Sequence, residues 1–390
     1  MTNQTIKQVS DQHILPTYGR YPVAFVKGQG CRLWDADGKE YIDFMSGIGV
    51  NSIGYAHPKW VQAVTNQAQN LAHVSNLYYT EPASKLAAKL CGDEFKVFFC
   101  NSGAEANEGL IKIARKYSRD KYGEGRATIV TLRDSFHGRT ITTLAATGQD
   151  KFHHHFHPFT PGFRHISPEN LKLIDPWDDV CAILLEPIQG EGGVIPLDPK
   201  QVQIAAEACR KNDWLLLFDE IQTGIGRTGK MFGYQHFDVQ PDGISFAKGI
   251  AGGLPLGGFM VSEKLQSTLG PGDHGTTYGA NPICCAAALT VLDIIEPQLS
   301  TITENGDYIR EKVSSMNLSC VEEIRGRGLM IGIKMKNHPP AAINARLLEA
   351  GLAALTAGTD ILRLLPPLII ERNDIDAGLK IMHNVLSTDF

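Results

Sequence analysis

The chain has 390 residues, 43% of them apolar, more than one hydrophobic core comfortably fills, so a large globular body of two domains is expected. Its 37 Lys and Arg nearly balance 42 Asp and Glu, and the formal charge of −5 excludes a broad basic face for nucleic acid or anionic lipid. Met1 to Ser10 is polar without an apolar h-region, and no later apolar run approaches the roughly 20 residues of a membrane helix, so neither secretion nor membrane insertion is expected.

From Val23 to Phe44, apolar runs alternate around two turn signals, Gly28-Gln29-Gly30 and Asp37-Gly38, which predicts a small antiparallel meander. Between Pro58 and Val261, β-rich runs recur with helical stretches between them: Val97–Cys100, Thr128–Leu132, Ala182–Leu185, Trp214–Phe218, Ile244–Ala247 and Gly258–Val261. That alternation predicts an α/β fold with a mostly parallel central sheet and helices on both faces. From Cys285 onward the pattern reads as helix, then paired strands (Cys320–Ile324 and Leu329–Lys334 around Gly326-Arg327-Gly328), then a last helix after Asn373. The expected division is an N-terminal segment, 1–57, packing with a small C-terminal α+β domain, 285–390, beside a large α/β domain, 58–284. Eight cysteines (Cys31, Cys91, Cys100, Cys181, Cys209, Cys284, Cys285, Cys320) are scattered without a C-x-x-C pair and read as reduced, buried thiols of a cytoplasmic enzyme.

In an open parallel sheet, ligands sit beyond the carboxyl ends of the strands. After Val97–Cys100 comes Asn101-Ser102-Gly103-Ala104-Glu105-Ala106-Asn107, opening a helix with an apolar face of Ala106, Leu110, Ile113, Ala114 and Tyr117. Taken alone, Ser102 is an ordinary helix cap; the small residues beside it also let a phosphate approach free N–H groups. After Trp214–Phe218 comes Asp219-Glu220-Ile221-Gln222, an acid suited to keeping a pyridinium nitrogen protonated, with Gln222 in reach of the ring's phenolate oxygen. After Ile244–Ala247 comes Lys248, which can attack an aldehyde if desolvation or nearby positive charge lowers its pKa. A phosphate-type turn, an acid and a lysine at successive strand ends point to one site.

Those residues, with Phe136-His137-Gly138-Arg139, Glu186-Pro187-Ile188-Gln189-Gly190-Glu191-Gly192-Gly193 and Gly275-Thr276-Thr277-Tyr278, resemble the class III (ornithine-type) aminotransferases, fold-type I enzymes that depend on pyridoxal phosphate. Thr17-Tyr18-Gly19-Arg20-Tyr21-Pro22 and His73-Val74-Ser75-Asn76-Leu77-Tyr78-Tyr79 are similar to the acetylornithine subgroup. The resemblance implies that Ser102, Gly103 and Ala104 hold the phosphate, Phe136 stacks on the ring, Asp219 pairs with its nitrogen, Gln222 lies near its phenolate oxygen, and Lys248 is the Schiff-base lysine. It further implies a homodimer in which Thr277 reaches the partner's cofactor phosphate and Thr276 the partner's substrate. Tyr18, Arg139, Glu191 and Arg363 complete the implied substrate set. Arg139 takes the carboxylate far from the reacting amine, Arg363 takes the α-carboxylate of 2-oxoglutarate or glutamate, and Glu191 masks Arg363 in the other half-reaction. The implied reaction moves the δ-amino group of N-acetylornithine to 2-oxoglutarate. Ornithine, succinyldiaminopimelate and 4-aminobutyrate stay open as donors, as does a scaffold that binds the cofactor without turnover.

Three other signals are weighed. Gly224-Ile225-Gly226-Arg227-Thr228-Gly229 fits a dinucleotide pattern but begins well past its strand and lacks the distant acid. His153, His154, His155 and His157 have no Cys or spaced acid nearby and read as a polar surface loop, so no metal is expected. Cys284-Cys285 reads as buried packing.

Overall fold

A computed structural model describes residues 1–173 and 177–387. The polar start forms a helix after all, α1 (Asn3–His13), capped by Thr2 accepting from the Thr5 N–H. None of its residues is buried, so no apolar stripe marks it in the sequence. The expected meander follows as β1 (Phe25–Gln29), β2 (Arg32–Asp35) and β3 (Glu40–Asp43), paired antiparallel. A strand from the far end of the chain, Leu352–Ala353, joins it parallel to β3. A turn, α2 (Ser46–Gly49), then leads to two helices with proline in their first turn, α3 (Pro58–Asn70) and α4 (Glu81–Cys91).

The central sheet is built from β4 (Phe95–Cys100), β5 (Thr128–Leu132), β6 (Phe163–Ile166) and β7 (Val180–Leu185). After a two-stranded ribbon, β8 (Ile188–Gln189) with β9 (Ile195–Pro196), it gains β10 (Leu215–Asp219), β11 (Gly243–Phe246) and β12 (Gly257–Ser262). The strand order is β4-β12-β11-β10-β7-β5-β6, and only β12 runs antiparallel to its neighbours. Every residue of β5, β7, β10 and β11 is buried, the reason those runs are mostly apolar on both faces rather than alternating apolar and charged. β6 went unanticipated because it is a four-residue edge strand carrying Arg164 and His165 and only half-buried throughout. The crossover helices are α5 (Gly103–Tyr122), the short α6 (Ile141–Ala146) and α7 (Pro199–Asn212).

The remaining elements are α8 (Pro282–Ile295), α9 (Leu299–Ser315), β13 (Val321–Arg327), β14 (Met330–Met335), α10 (Pro340–Glu349), β15 (Leu352–Ala353), β16 (Leu355–Ala357), β17 (Ile361–Leu364) and α11 (Arg372–Leu386). The order β13-β14-β17-β16 makes a second, antiparallel sheet. The hairpin differs from expectation: β13 runs through Gly326 to Arg327, which pairs with Met330, so the tight turn is Gly328-Leu329. Gly326 stays in the strand at φ +121°, where a Cβ would strike Met330 O at 1.9 Å, so this glycine serves close strand approach rather than a turn. The last helix begins at Arg372, a little before the expected start.

The stretch Pro282–Ser315 is the one helical stretch among the described residues apolar and long enough to cross a membrane by length and composition, which the sequence reading did not anticipate. It is two helices, α8 and α9, joined by a short 3-10 turn, and α8 packs its apolar side on α3 and α4. The glycine-rich run Gly224–Gly229 packs against that junction: a Cβ at Gly226 would meet Ile295 at 2.6 Å, and one at Gly229 would meet Thr303 Oγ1 at 2.1 Å. All eight cysteines are buried and unpaired.

Candidate active site

β4, β5, β7, β10 and β11 run in one direction, so the residues beyond their carboxyl ends gather on one side of the sheet. Beyond β4, Ser102 caps α5, its Oγ accepting from the Glu105 N–H at 3.3 Å. The first turn of the helix leaves the N–H groups of Gly103 and Ala104 without intrahelical acceptors. Capping and anion binding are thus compatible: the serine that starts the helix also sits where its positive end opens on a cavity. Gly103 has no room for a side chain, because a Cβ would meet Ile221 Cδ1 at 2.7 Å.

Asp219, the last residue of β10, is only 4% exposed. Its Oδ2 accepts from Asn107 Nδ2 (2.7 Å) and faces His137 Nδ1 (2.8 Å), while Oδ1 accepts from the Ile221 N–H (3.1 Å). Asn107 Nδ2 also donates to the His137 carbonyl at 2.8 Å, tying α5 to the loop after β5. Sequence reasoning gave neither Asn107 nor His137 a role. For Asn107 a signal existed, since it sits on the same helical stripe as Leu110 and Ile111 and a polar residue there needs a partner.

Glu186, beyond β7, is a third addition. Its carboxyl accepts from the N–H groups of Phe136 (3.0 Å) and Gly190 (3.3 Å), and burial together with neighbouring Asp219 pushes its pKa well above the usual carboxylate range. It follows a buried apolar strand just as Asp219 ends one, so the reasoning that found Asp219 applied to it as well.

Lys248 follows β11 with φ +41°, a left-handed conformation that is costly for a lysine. Burial lowers its pKa, Glu191 opposes that, and the charge of Arg363 adds to the lowering. Arg363, on β17, is 2% exposed. Its Nη1 donates to Glu191 Oε1 at 2.6 Å and to Gln222 Oε1 at 3.2 Å, and Gln222 Nε2 donates to the same Glu191 oxygen at 3.3 Å. Burial alone would raise Glu191, but Arg363 holds it below its ordinary value. Arg363 Nε is buried with no acceptor among the described residues, so the guanidinium fork is only partly satisfied.

Tyr18, Ser102, Gly103, Ala104, Phe136, Arg139, Glu191, Asp219, Gln222 and Lys248 line one cavity of about 600 Å³. Arg363 is bonded to two of its walls, Glu191 and Gln222, without being part of the lining. Thr276 and Thr277 also lie outside the lining: Thr276 Oγ1 accepts from Asn101 Nδ2 at 3.1 Å, and Thr277 is exposed. Among the described residues no group of His, Cys, Asp and Glu is arranged to hold a metal ion; in the histidine-rich loop His153 Nε2 instead lies 2.9 Å from the Leu144 carbonyl.

Comparison with known proteins adds an independent line. Residues 15–386 match the model of the family described as aminotransferase class-III. An acetylornithine aminotransferase of Haemophilus ducreyi is 50% identical over 99% of this chain and 100% of its own length. A succinylornithine transaminase of Salmonella paratyphi A is 42% identical over 97% of this chain and 96% of its own. The solved ornithine aminotransferase of Toxoplasma gondii, described with pyridoxal phosphate at its active site, superposes with a TM-score of 0.94 at 30% identity, covering 99% of this chain and 94% of that one.

Proposed function

This chain belongs to the class-III aminotransferases, which depend on pyridoxal phosphate, and on that premise we propose that it transfers the δ-amino group of N-acetylornithine to 2-oxoglutarate, giving N-acetylglutamate 5-semialdehyde and glutamate. The donor set of the cavity fits the cofactor. The open N–H groups at the start of α5 suit the phosphate, the Phe136 ring suits the pyridine face, the buried Asp219 suits the ring nitrogen, and Lys248 suits the aldehyde. When bound, that cofactor supplies an aldehyde that takes up the donor amine and a ring that accepts electrons from the substrate carbon.

Each residue then has a defined task. Burial and the charge of Arg363 lower the Lys248 pKa, which favours Nζ as a nucleophile and, once freed, as a base that takes a proton from the donor's δ-carbon. Asp219 is held at the ring's edge by the hydrogen bonds that Asn107 and the Ile221 N–H donate to it. Arg139 binds the carboxylate remote from the reacting amine, and Arg363 binds the second carboxylate of 2-oxoglutarate when Glu191 releases it.

The observation that carries the proposal is the Arg363–Glu191 pair at 2.6 Å. A donor with one carboxylate needs one open guanidinium, and 2-oxoglutarate needs two. A cavity with Arg139 open and Arg363 masked by a displaceable acid suits both. The same proposal includes a cytoplasmic homodimer with Thr276 and Thr277 near the partner's site. Support comes from Asn76, which donates to the carbonyls of Thr276 and Gly279, next to the exposed Leu77, Tyr78, Tyr79 and Tyr278.

The deciding measurement is kcat/KM for N-acetylornithine, N-succinylornithine, ornithine and 4-aminobutyrate with 2-oxoglutarate as acceptor. N-acetylornithine is expected to lead ornithine and 4-aminobutyrate by at least about tenfold, the scale of one well-placed pocket contact. Preference for N-succinylornithine would instead assign the activity named for the Salmonella relative.

Glu191→Gln tests the mask. Removing the negative charge that raises the Lys248 pKa lets that pKa fall further, so the low-pH limb of the rate at which apoenzyme takes up pyridoxal phosphate is expected to move to lower pH. The unmasked Arg363 should also bind 2-oxoglutarate about tenfold more tightly, the worth of one charged hydrogen bond. A limb that stays put, together with an unchanged 2-oxoglutarate KM, would remove Glu191 from this role.

A further inference from the structure

Arg139 differs from the other cavity arginine in what holds it. Arg363 is fixed by hydrogen bonds to Glu191 and Gln222. Arg139 makes no hydrogen bond or ion pair among the described residues, yet its guanidinium carbon lies 4.0 Å from the centroid of the Phe152 ring and 5.5 Å from that of Phe136. The two rings meet edge-on, 6.0 Å apart at 76°. We propose that Phe152 is the positioning residue for Arg139: its ring face holds the guanidinium at the cavity while leaving every N–H free for the substrate's remote carboxylate. This rests on the reading of Arg139 given above.

Phe152 is itself well anchored. It ends the 3-10 turn Asp150–Phe152, and its N–H donates to the Gln149 carbonyl at 3.1 Å. Buried Gln149 donates through Nε2 to the carbonyls of Asp134 (3.2 Å) and Ser135 (3.1 Å), and the Gly148 N–H donates to Ser135 Oγ at 3.0 Å. Asp134 and Ser135 immediately precede Phe136 and, three residues on, Arg139. The ring and the guanidinium therefore rest on one cross-braced pair of turns. Gly148 cannot be enlarged without breaking this brace, since a Cβ would meet Leu132 O at 2.1 Å.

An aromatic face suits this task better than a carboxylate. A glutamate paired with Arg139 would compete with every incoming substrate carboxylate and would have to be displaced. A ring quadrupole attracts the cation through the face of the guanidinium and leaves its in-plane donors unengaged. The Lys151 ammonium, 4.9 Å from the same ring, adds positive charge nearby without offering a competing acceptor. The cavity's two arginines thus differ in kind: Arg363 is masked by a displaceable acid, and Arg139 is open in both half-reactions, as a group that binds a carboxylate in both should be.

The test uses holoenzyme carrying Phe152→Leu, Phe152→Tyr, Arg139→Ala and the double change Phe152→Leu/Arg139→Ala. The readouts are KM and kcat for N-acetylornithine and for pentylamine, an amine with no carboxylate, plus the Kd of glutarate, a dicarboxylate that does not react. Phe152→Leu is expected to raise the N-acetylornithine KM and the glutarate Kd about threefold to fivefold, the scale of one partly desolvated cation–π contact, with kcat and the pentylamine parameters little changed. Phe152→Tyr keeps the face and should stay within about twofold of the parent. In the Arg139→Ala background, Phe152→Leu should add nothing. If Phe152→Leu lowers kcat for every amine equally, or still weakens glutarate when Arg139 is absent, its role is structural and the proposal falls while the assignment of Arg139 stands. If Arg139→Ala leaves glutarate binding intact, both fall together.

Discussion

Replacing Lys248 with alanine is expected to lower turnover by about 10⁴-fold or more and to abolish the absorbance band of covalently held pyridoxal phosphate. In the proposed reaction two separate functions are lost at once. The nucleophile that captures the aldehyde goes, and so does the base that moves the proton from the substrate carbon, a step worth about 10²- to 10⁴-fold alone. No neighbour can substitute. Both carboxyl oxygens of Glu186 are engaged by the N–H groups of Phe136 and Gly190, Glu191 is engaged by Arg363, and Asp219 is surrounded by Asn107, His137 and the Ile221 N–H. Lys248→Arg should fail as badly, because a guanidinium does not lose its proton near neutrality. Noncovalent cofactor binding should persist in both variants, since the turn at Ser102–Ala104 and the Asp219 carboxylate are untouched, and equilibrium dialysis would separate that from loss of the fold. An alanine variant that turns over within tenfold of the parent, or keeps the band, would remove Lys248 from the centre of the reaction.

Much of this site is legible in the sequence because a parallel sheet converts order along the chain into position in space. Once Trp214–Phe218 and Ile244–Ala247 are read as strands, Asp219 and Lys248 have to emerge on the same side, and β10 and β11 do pair in parallel. The Arg363–Glu191 pair was reachable only through family resemblance. Nothing local says that a strand near the end of the chain reaches a loop 172 residues earlier. Other features leave weaker traces. Asn107 could have been found as a polar residue in an apolar helical stripe, and Glu186 by the strand-end reasoning already used for Asp219. β15, β16 and β17 are two to four residues long, and their pairing with β3 and β14 depends on contacts no sequence window contains. Arg227 was overlooked for a different reason: it sits inside a glycine-rich run that drew attention as a possible nucleotide turn, while its side chain does something else.

Arg227→Leu is expected to destabilise the fold by about 3–5 kcal/mol, the cost of breaking a buried charged network from one side. The side chain is 2% exposed and joins three distant segments. Nη1 donates to the carbonyls of Leu329 (3.0 Å), in the β13–β14 turn, and Pro366 (2.6 Å), just past β17, while Nη2 reaches Ser46 Oγ at 3.4 Å. Ser46 Oγ in turn donates to the Leu365 carbonyl at 2.6 Å. A leucine would leave the Leu329 and Pro366 carbonyls buried and unpaired. It would also remove a positive charge that favours ionised Asp43, whose carboxyl burial pushes up to about 6. That raised value sets the sign of the pH dependence. The folded state prefers Asp43 protonated, so its contribution is fully present below the unfolded value near 3.8 and is lost as pH rises through about 6. Without Arg227 the preference strengthens and the loss extends to higher pH, so the variant should suffer more at pH 8 than at pH 5. Thermal unfolding of parent and variant at both values measures this. A drop in Tm of equal size at the two pH values would show that packing and the orphaned carbonyls matter and the charge on Asp43 does not. Because Leu365 and Pro366 continue directly from the strand carrying Arg363, the surviving folded fraction should also bind 2-oxoglutarate less tightly, which would connect this buried clamp to the arginine proposed to receive the second carboxylate.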